Sequence, residues 1–573
     1  MKKRKSSFPY AAVIVVLLVL AIVAAIYISK YTPSKKFVTA AELMKIYGFE
    51  NESDIDKDKQ AAILLQNKLS DSRAMVEDGV VYLEYNFVKD ELNDRFYWDN
   101  NENLLLYTLP TDIVKVSVGS NVYEVTKTEN TVDYQIVKTN GNKVYIAMDF
   151  VSQYSNIKCA YYKNPSRVCI TNKRNTDVDV AKISKSVKLR KKANIKADIL
   201  YTSVKKHDVT ITESKGKWSY VYTDDGHFGY VENSSLKGRT TKKLQSTFKE
   251  PEYTSKRLPG KVNLAWQAVN NTVANNQLVD LVTNTRGLNV VSPQWYRITD
   301  NDGNMSCYAD SAYIQRAHLI GLQVWAAIDD QSDTSDNTQI FTYTSKREKI
   351  INQLIADAIQ YDIDGINVDF EYIKPEIADD YIEFIRELSV KCRINGIILS
   401  VDDKIPVPGN LYYNLKAQGE TVDYVIIMAY DEHWGVASGA GSVASLPWVT
   451  SGMQTVIESV DSTKVVLGIP FYTRLFKENV DGNVTDSQTI DMDTASKTLA
   501  SNGVTPWWVD ECGQNYGEYT NGAGETVRIW LEDSMSIEKK LELIGQDNLA
   551  GVAAWRLGYE NKDIWNTIIK YVN

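Results

Sequence analysis

Hydrophobic and polar positions are arranged in several distinct ways along the chain. From Ala11 to Ile28 the run AAVIVVLLVLAIVAAIYI carries no charge. At about 1.5 Å rise per residue, a helix of that length nearly crosses a hydrocarbon core of about 30 Å. Between residues 37 and 175 strand-like segments recur at an offset of 63, the difference between Val144 and Val81. VYLEYNFV from Val81 aligns with VYIAMDFV from Val144, and FYWDNNENLLLYT from Phe96 with CAYYKNPSRVCIT from Cys159. Tyr82 matches Tyr145, Phe87 matches Phe150, Trp98 matches Tyr161 and Thr108 matches Thr171, so each copy predicts strand, short helix, strand. Residues 183–238 change to short alternating strands punctuated by SKGK and TDDGH, a small all-β barrel. A Lys, Thr and Ser-rich stretch at 239–259 is expected to be a linker.

From about residue 260 to 573, eight apolar segments alternate with helical patterns: VNLAWQA, LNVVSPQW, LQVWAAI, GINVDFE, GIILSVD, YVIIMAY, VVLGIPF and GVAAWR. That order predicts a (β/α)8 barrel. The one long gap, between Phe471 and Gly551, is expected to be an insertion after strand seven. Its Trp507, Trp508, Tyr516, Tyr519 and Trp530 are candidates to wall one side of a cleft.

The fourth segment, YDIDGINVDFEYI from Tyr361, carries the chemistry. Side chains of a strand alternate between faces, so Gly365, Asn367, Asp369 and Glu371 form one file while Ile366, Val368 and Phe370 form the other. A water-facing edge strand would alternate in the same way. In a barrel, however, the polar file points inward, and burying it costs several kcal/mol unless it is hydrogen-bonded and partly wet. Glu371 then emerges at the strand's C-terminal end, where barrel enzymes place their active sites.

Composition narrows the alternatives. A net charge of −9 and the lack of a basic stripe beyond the first residues argue against nucleic acid as a partner. Four histidines without a ligand spacing, and five cysteines (Cys159, Cys169, Cys307, Cys392 and Cys512) without a CxxC pair, predict no metal centre and no cofactor. Cys159 and Cys169 could be bridged if their strands meet, but unpaired thiols are expected. Thirty-five tyrosines and 12 tryptophans against 13 phenylalanines suit stacking on carbohydrate.

With these residues in view, the region from Lys261 to Asn573 closely resembles glycoside hydrolase family 18, whose strand-four motif is DxxDxDxE. Asp364, Asn367, Asp369 and Glu371 occupy its four positions, with Asn367 replacing the first interior aspartate. The MAYDEHW stretch supplies Met428, Tyr430 and Asp431, GIPFY follows strand seven, and AAWR supplies Trp555. The segment from NVVSPQWYRITDNDG through AHLIGLQVWAAI resembles the bacterial spore-cortex and cell-wall branch of the family. The resemblance implies that Glu371 is the general acid and later base, that Asp369 orients the substrate's 2-acetamido group, and that Tyr430 hydrogen-bonds that group. Asn367, Asp364, Met428, Asp431, Trp555 and Trp266 are then the expected substrate contacts. It also implies retaining catalysis in which the substrate supplies the nucleophile. Asp369 is expected to raise the pKa of Glu371, and Asn367 to hydrogen-bond Asp369.

The second copy in 37–175 resembles the copper amine oxidase-like N-terminal domain, without histidines for copper. Residues 183–238 resemble a bacterial Src homology 3-like domain, which implies contact with cell-wall material; a spacer barrel that binds nothing is the alternative. Lys2, Lys3, Arg4 and Lys5 precede the apolar run, predicting an uncleaved signal anchor over 1–30 with everything after it outside the membrane; cleavage and secretion is the alternative. The expected activity is hydrolysis of β-1,4 bonds in N-acetylglucosamine polymers, peptidoglycan ahead of chitin. A non-catalytic saccharide-binding barrel and a wall tether are the competing readings.

Overall fold

The computed structural model describes residues 10–50 and 55–572, so the four basic residues that set the expected membrane orientation lie outside the described residues. The chain divides into two compact units. The first holds residues 1–96, 116–123 and 129–250; the second holds 97–115, 124–128 and 251–573.

In the first unit the apolar run forms one helix, Tyr10–Tyr31, exposed along its whole length and long and apolar enough to cross a membrane. The repeat emerges as expected. Strand Val80–Glu84 and helix Tyr85–Glu91 correspond to strand Lys143–Ala147 and helix Met148–Tyr154. The two strands pair antiparallel within a seven-stranded sheet, Tyr145 opposite Glu84. Strands Lys158–Tyr162 and Arg167–Thr171 also meet, yet Cys159 and Cys169 are free thiols. Cys159 lies opposite Ile170, one position out of step with Cys169, so the two side chains leave the sheet on opposite faces.

A second seven-stranded sheet runs from Asp177–Ile183 to Leu236–Lys243, and these two terminal strands pair with Asp177 opposite Lys243. Residues 239–243 are therefore strand and not linker: ladder pairing outweighs a polar, threonine-rich composition. The rest of the expected linker is not loose either. Within the second unit, the Lys256 amide donates to Asp423 Oδ1 at 2.6 Å and the Leu258 amide to the Tyr424 hydroxyl at 2.8 Å.

The second unit contains the predicted barrel. Its strands are β1 Val262–Gln267, β2 Val290–Ile298, β3 Gln323–Asp329, β4 Gly365–Asp369, β5 Ile398–Lys404, β6 Tyr424–Met428, β7 Val465–Pro470 and β8 Gly551–Trp555. All are parallel neighbours, and β1 pairs with both β2 and β8, which closes the ring. Outward residues such as Ile366, Val368 and Phe370 join the large core under the helices. Inward residues Leu264, Trp325, Ile398, Tyr424 and Val466 fill the centre. Gly365 opens β4 because a Cβ there would meet the Trp325 ring at 2.7 Å. The insertion after β7 is a five-stranded sheet with helix Met492–Ser501.

Two helices flank β4: α1 Thr344–Tyr361 before it and α2 Ala378–Asn395 after it. The residue before α1, Tyr343, offers no side-chain cap. Asp99 supplies one from segment 97–115, its Oδ2 accepting from the Thr344 amide at 2.7 Å and hydroxyl at 2.6 Å, while Glu102 accepts from the Ser345 amide at 2.9 Å. Tyr97 completes the contact, donating to Asp380 at 2.5 Å and packing, with Leu106 and Ile113, against Val390. Part of the first repeat is thus an outer layer of the barrel unit, which the repeat pattern did not announce.

Candidate active site

At the C-terminal mouth of the barrel lies a cleft of about 830 Å³ into which β1, β2, β4, β5, β6 and β8 send side chains, joined by Tyr472 from just beyond β7. β4 supplies its inward file. Asn367 is fully buried with every polar atom used: its Oδ1 accepts from Trp266 Nε1 and Ser292 Oγ, both at 3.0 Å, and its Nδ2 donates to Ser400 Oγ at 3.0 Å and Asp402 Oδ1 at 2.7 Å. The expected bond to Asp369 is not among them. Asn367 reaches sideways across the strands instead of along its own.

Asp369 is 7% exposed, and its Oδ1 has no hydrogen-bond partner. Burial, then the nearby Asp402 and Glu371 carboxyls, push its pKa well above the carboxylate range. Glu371, past the end of β4, faces the cleft with about a quarter of its side chain exposed. Gln331 Nε2 donates to its Oε1 at 2.8 Å and Lys404 Nζ pairs with its Oε2 at 2.8 Å. Gln331, just past β3, and Lys404, at the end of β5, thus bracket the two oxygens of Glu371.

The turn that aims Glu371 is clamped by Asp330, whose two oxygens accept from the Glu371 amide at 2.9 Å and the Tyr372 amide at 3.0 Å. Beside it Asp329 is gripped by Arg297, Nε to Oδ1 at 2.6 Å and Nη2 to Oδ2 at 3.1 Å. Neither acid was singled out from sequence, nor were Asp402 and Lys404. The signal was present: the apolar runs of β3 and β5 end in DDQ and DDK, adjacent acids at the end of the barrel where chemistry occurs.

Of the remaining expected residues, Met428, Tyr430, Asp431 and Trp555 line the same cleft. The Tyr430 ring packs edge-on against Tyr472 at 6.1 Å, and the Tyr472 hydroxyl donates to Asp431 Oδ1. Burial holds the Tyr430 hydroxyl well above the usual phenol range, keeping it a donor. Trp266 is 2% exposed, with its ring 6.1 Å from that of Trp555 and its indole N–H shared between Asn367 and Asp402 at 3.0 and 3.2 Å. It supports the cleft floor more than it presents a face to a ligand.

Two expectations are corrected. Asp364 lies before β4 at the opposite end of the barrel, accepting from the Val324 amide at 2.8 Å and bonded to His318 Nε2 at 2.9 Å. It ties β3 to β4 and is not in the cleft; one motif spans the whole length of a strand, so its first residue cannot reach the mouth. The five insertion aromatics do not wall the cleft either. Trp507 and Trp530 pack on Tyr516 at 5.1 and 4.8 Å within their own sheet, and the aromatic walls are Trp434, Trp448 and Tyr472.

A closed eight-stranded barrel with a carboxyl pair two residues apart at its C-terminal mouth, in an aromatic-walled cleft, defines a glycosidase-type site. The sequence model for glycosyl hydrolases family 18 matches residues 264–560, and the chain belongs to that family, which makes it a glycosidase. The copper amine oxidase N-terminal domain matches residues 64–170. An uncharacterized glycosylase, YvbX of Bacillus subtilis (strain 168), is 26% identical over 265 residues, covering 44% of this chain and 75% of that protein. A cortical fragment-lytic enzyme of the same bacterium is 24% identical over 226 residues, 38% of this chain and 52% of that protein; the chain thus spans about half the length of this second relative. The C-terminal domain of a putative chitinase from Desulfitobacterium hafniense DCB-2 aligns at a TM-score of 0.49 with 22% identity, covering 55% of this chain and 98% of that one.

Proposed function

We propose that this glycosidase hydrolyses β-1,4 bonds that follow N-acetylglucosamine units, in peptidoglycan ahead of chitin, from a position anchored outside the membrane by helix Tyr10–Tyr31. The observation that carries the reading is the convergence of Asp369, Glu371, Tyr430 and Trp555 on one cleft. Glu371 protonates the leaving oxygen and later deprotonates water. Asp369 orients the 2-acetamido group as its carbonyl oxygen attacks the anomeric carbon, and the Tyr430 hydroxyl donates to that oxygen. Trp555 offers the sugar a stacking floor, and Asp431, fixed by Tyr472, a polar contact. Lys404 must release Glu371 before the acid can deliver its proton. The apolar helix, the accessory sheets of the first unit and a cortex-lytic relative support a cell-wall substrate.

The test incubates the detergent-solubilised full chain, and its Glu371→Gln variant, with purified peptidoglycan and with chitin oligomers, and identifies released reducing ends by mass spectrometry. Products ending in N-acetylglucosamine, made from peptidoglycan by the unmutated chain alone, are expected. Release from chitin alone would reassign the substrate, and products that persist in the variant would remove Glu371 from its role.

A further inference from the structure

We propose that Asp402 is the proton partner of Asp369: two carboxyls on neighbouring barrel strands hold one proton between them, which rests on Asp369 and passes to Asp402 when bound substrate requires Asp369 as an anion. This rests on the role given above to Asp369, but not on the identity of the polymer.

Three observations lead to it. First, β4 and β5 are parallel with Asn367 opposite Ser400 and Val368 opposite Val401; one further step in that register sets Asp369 beside Asp402, with both side chains on the inner face. Secondly, both are buried, Asp402 at 1% exposure and Asp369 at 7%, and both border the same cleft. Thirdly, their hydrogen bonding is unequal. Asp402 accepts on both oxygens, from Asn367 Nδ2 at 2.7 Å and Trp266 Nε1 at 3.2 Å, whereas Asp369 Oδ1 accepts from nothing. Donors stabilise an ionised carboxylate, so the resting charge belongs on Asp402 and the proton on Asp369.

The surroundings supply no cation to change that. The charged groups near the pair are Glu371 just past β4, Asp403 and Lys404 on β5, and Asp329 and Asp330 at the end of β3; Tyr430 follows β6. Lys404 is engaged by Glu371, and Arg297 by Asp329. Burial and mutual repulsion raise the affinity of both carboxyls for a proton, and such a pair titrates as a unit. When the acetamido N–H of a substrate meets Asp369, it stabilises that carboxylate as a donor. One O–H bond breaks on Asp369 and one forms on Asp402; nothing else changes. Asp402 touches no reacting atom and is a positioning residue. Asn367, already bonded to Asp402, occupies the other site from which a carboxyl could serve.

That adjacency gives the experiment. In the full chain, D402N is expected to lose tenfold or more in kcat and to change the pH profile of kcat/KM, with an unchanged melting temperature. N367D/D402N, which moves the carboxyl across the same hydrogen bond, is expected to restore both to near the unmutated values. A D402N variant with native kcat and pH profile overturns the proposal, as does a well-folded double variant as impaired as D402N. Infrared spectroscopy of the substrate-free protein reads the proton directly. A protonated-carboxyl band should vanish in D369N and, in D402N, titrate away at lower pH, because the anionic neighbour that raised it is gone. A band indifferent to D402N overturns the pair. The same band changes in a chain that hydrolyses no substrate would sustain the pair and reject the hydrolytic role.

Discussion

Two buried acid clusters in the barrel unit are built in opposite ways. Glu532, after the last strand of the insertion, is 1% exposed, and each of its oxygens lies 2.8 Å from Lys540 Nζ. Gln514 Nε2 at 2.7 Å and Ser536 Oγ at 2.9 Å complete its bonding. Asp402 is as deeply buried and Asp369 is buried beside it, yet no cation pairs with either among the described residues, and one Asp369 oxygen accepts from nothing. Both oxygens of Glu532 are thus engaged, by a cation and by neutral donors, and that first cluster joins two elements. The second keeps unused capacity facing a cleft, the condition expected of a group that awaits a ligand.

The comparison breaks most sharply at Glu371. The Glu371→Gln variant should lose about 10² to 10⁴ in kcat, the usual worth of a positioned acid, while its melting temperature stays within a degree or two; a similar loss of stability would place the residue with the first cluster. Lys540→Met should do the reverse, costing about 3–5 kcal/mol of stability by stranding Glu532, with kcat of the folded fraction unchanged. Urea titration beside single-turnover kinetics separates the two effects.

Asp403 tests the boundary between these classes. It is 3% exposed, with one oxygen taken by Gln418 at 3.1 Å and the other unpartnered, and burial pushes its pKa up to about 7. Its affinity for a proton is higher folded than unfolded, so its contribution is most favourable below about pH 4 and is lost as pH rises towards 7. Asp403→Asn should flatten the fall of stability across that window and stabilise the protein at pH 8 by on the order of a kcal/mol. Parallel pH–melting curves that differ only by a constant would refute this. The smallest effect is expected at Asp99→Ala, about 1 kcal/mol for a lost helix cap, with no change in kcat; thermal melts at fixed pH measure it.

The sequence made the strands of the barrel legible because most are short, largely apolar runs between helical patterns, and it made the β4 file legible because period-two alternation needs no tertiary information. Asp402, Asp330 and Lys404 escaped notice for the opposite reason. They act across strands, and which residue of β5 stands beside Asp369 follows from register, fixed only when the ring closes. Asn367 illustrates the same limit: its residue type correctly suggested hydrogen bonding inside the barrel, but its partners are Trp266, Ser292, Ser400 and Asp402, the nearest of them 33 residues away in sequence. The insertion aromatics misled because composition gives abundance without direction, and Trp507 and Trp530 turn to Tyr516.

The cap that Asp99 places on α1 has a bearing on the order of synthesis. Asp99 leaves the ribosome 245 residues before Thr344, so the acceptor for the first turn of α1 is already made when that helix emerges. A gene fragment cut where the family match begins, at residue 264, trims the first two residues of β1 and also deletes the group that starts one of the helices beside the catalytic strand. The compact unit that holds the barrel therefore begins in sequence well before the family match, and a fragment without segment 97–115 forgoes both the Asp99 cap and the Tyr97 contact.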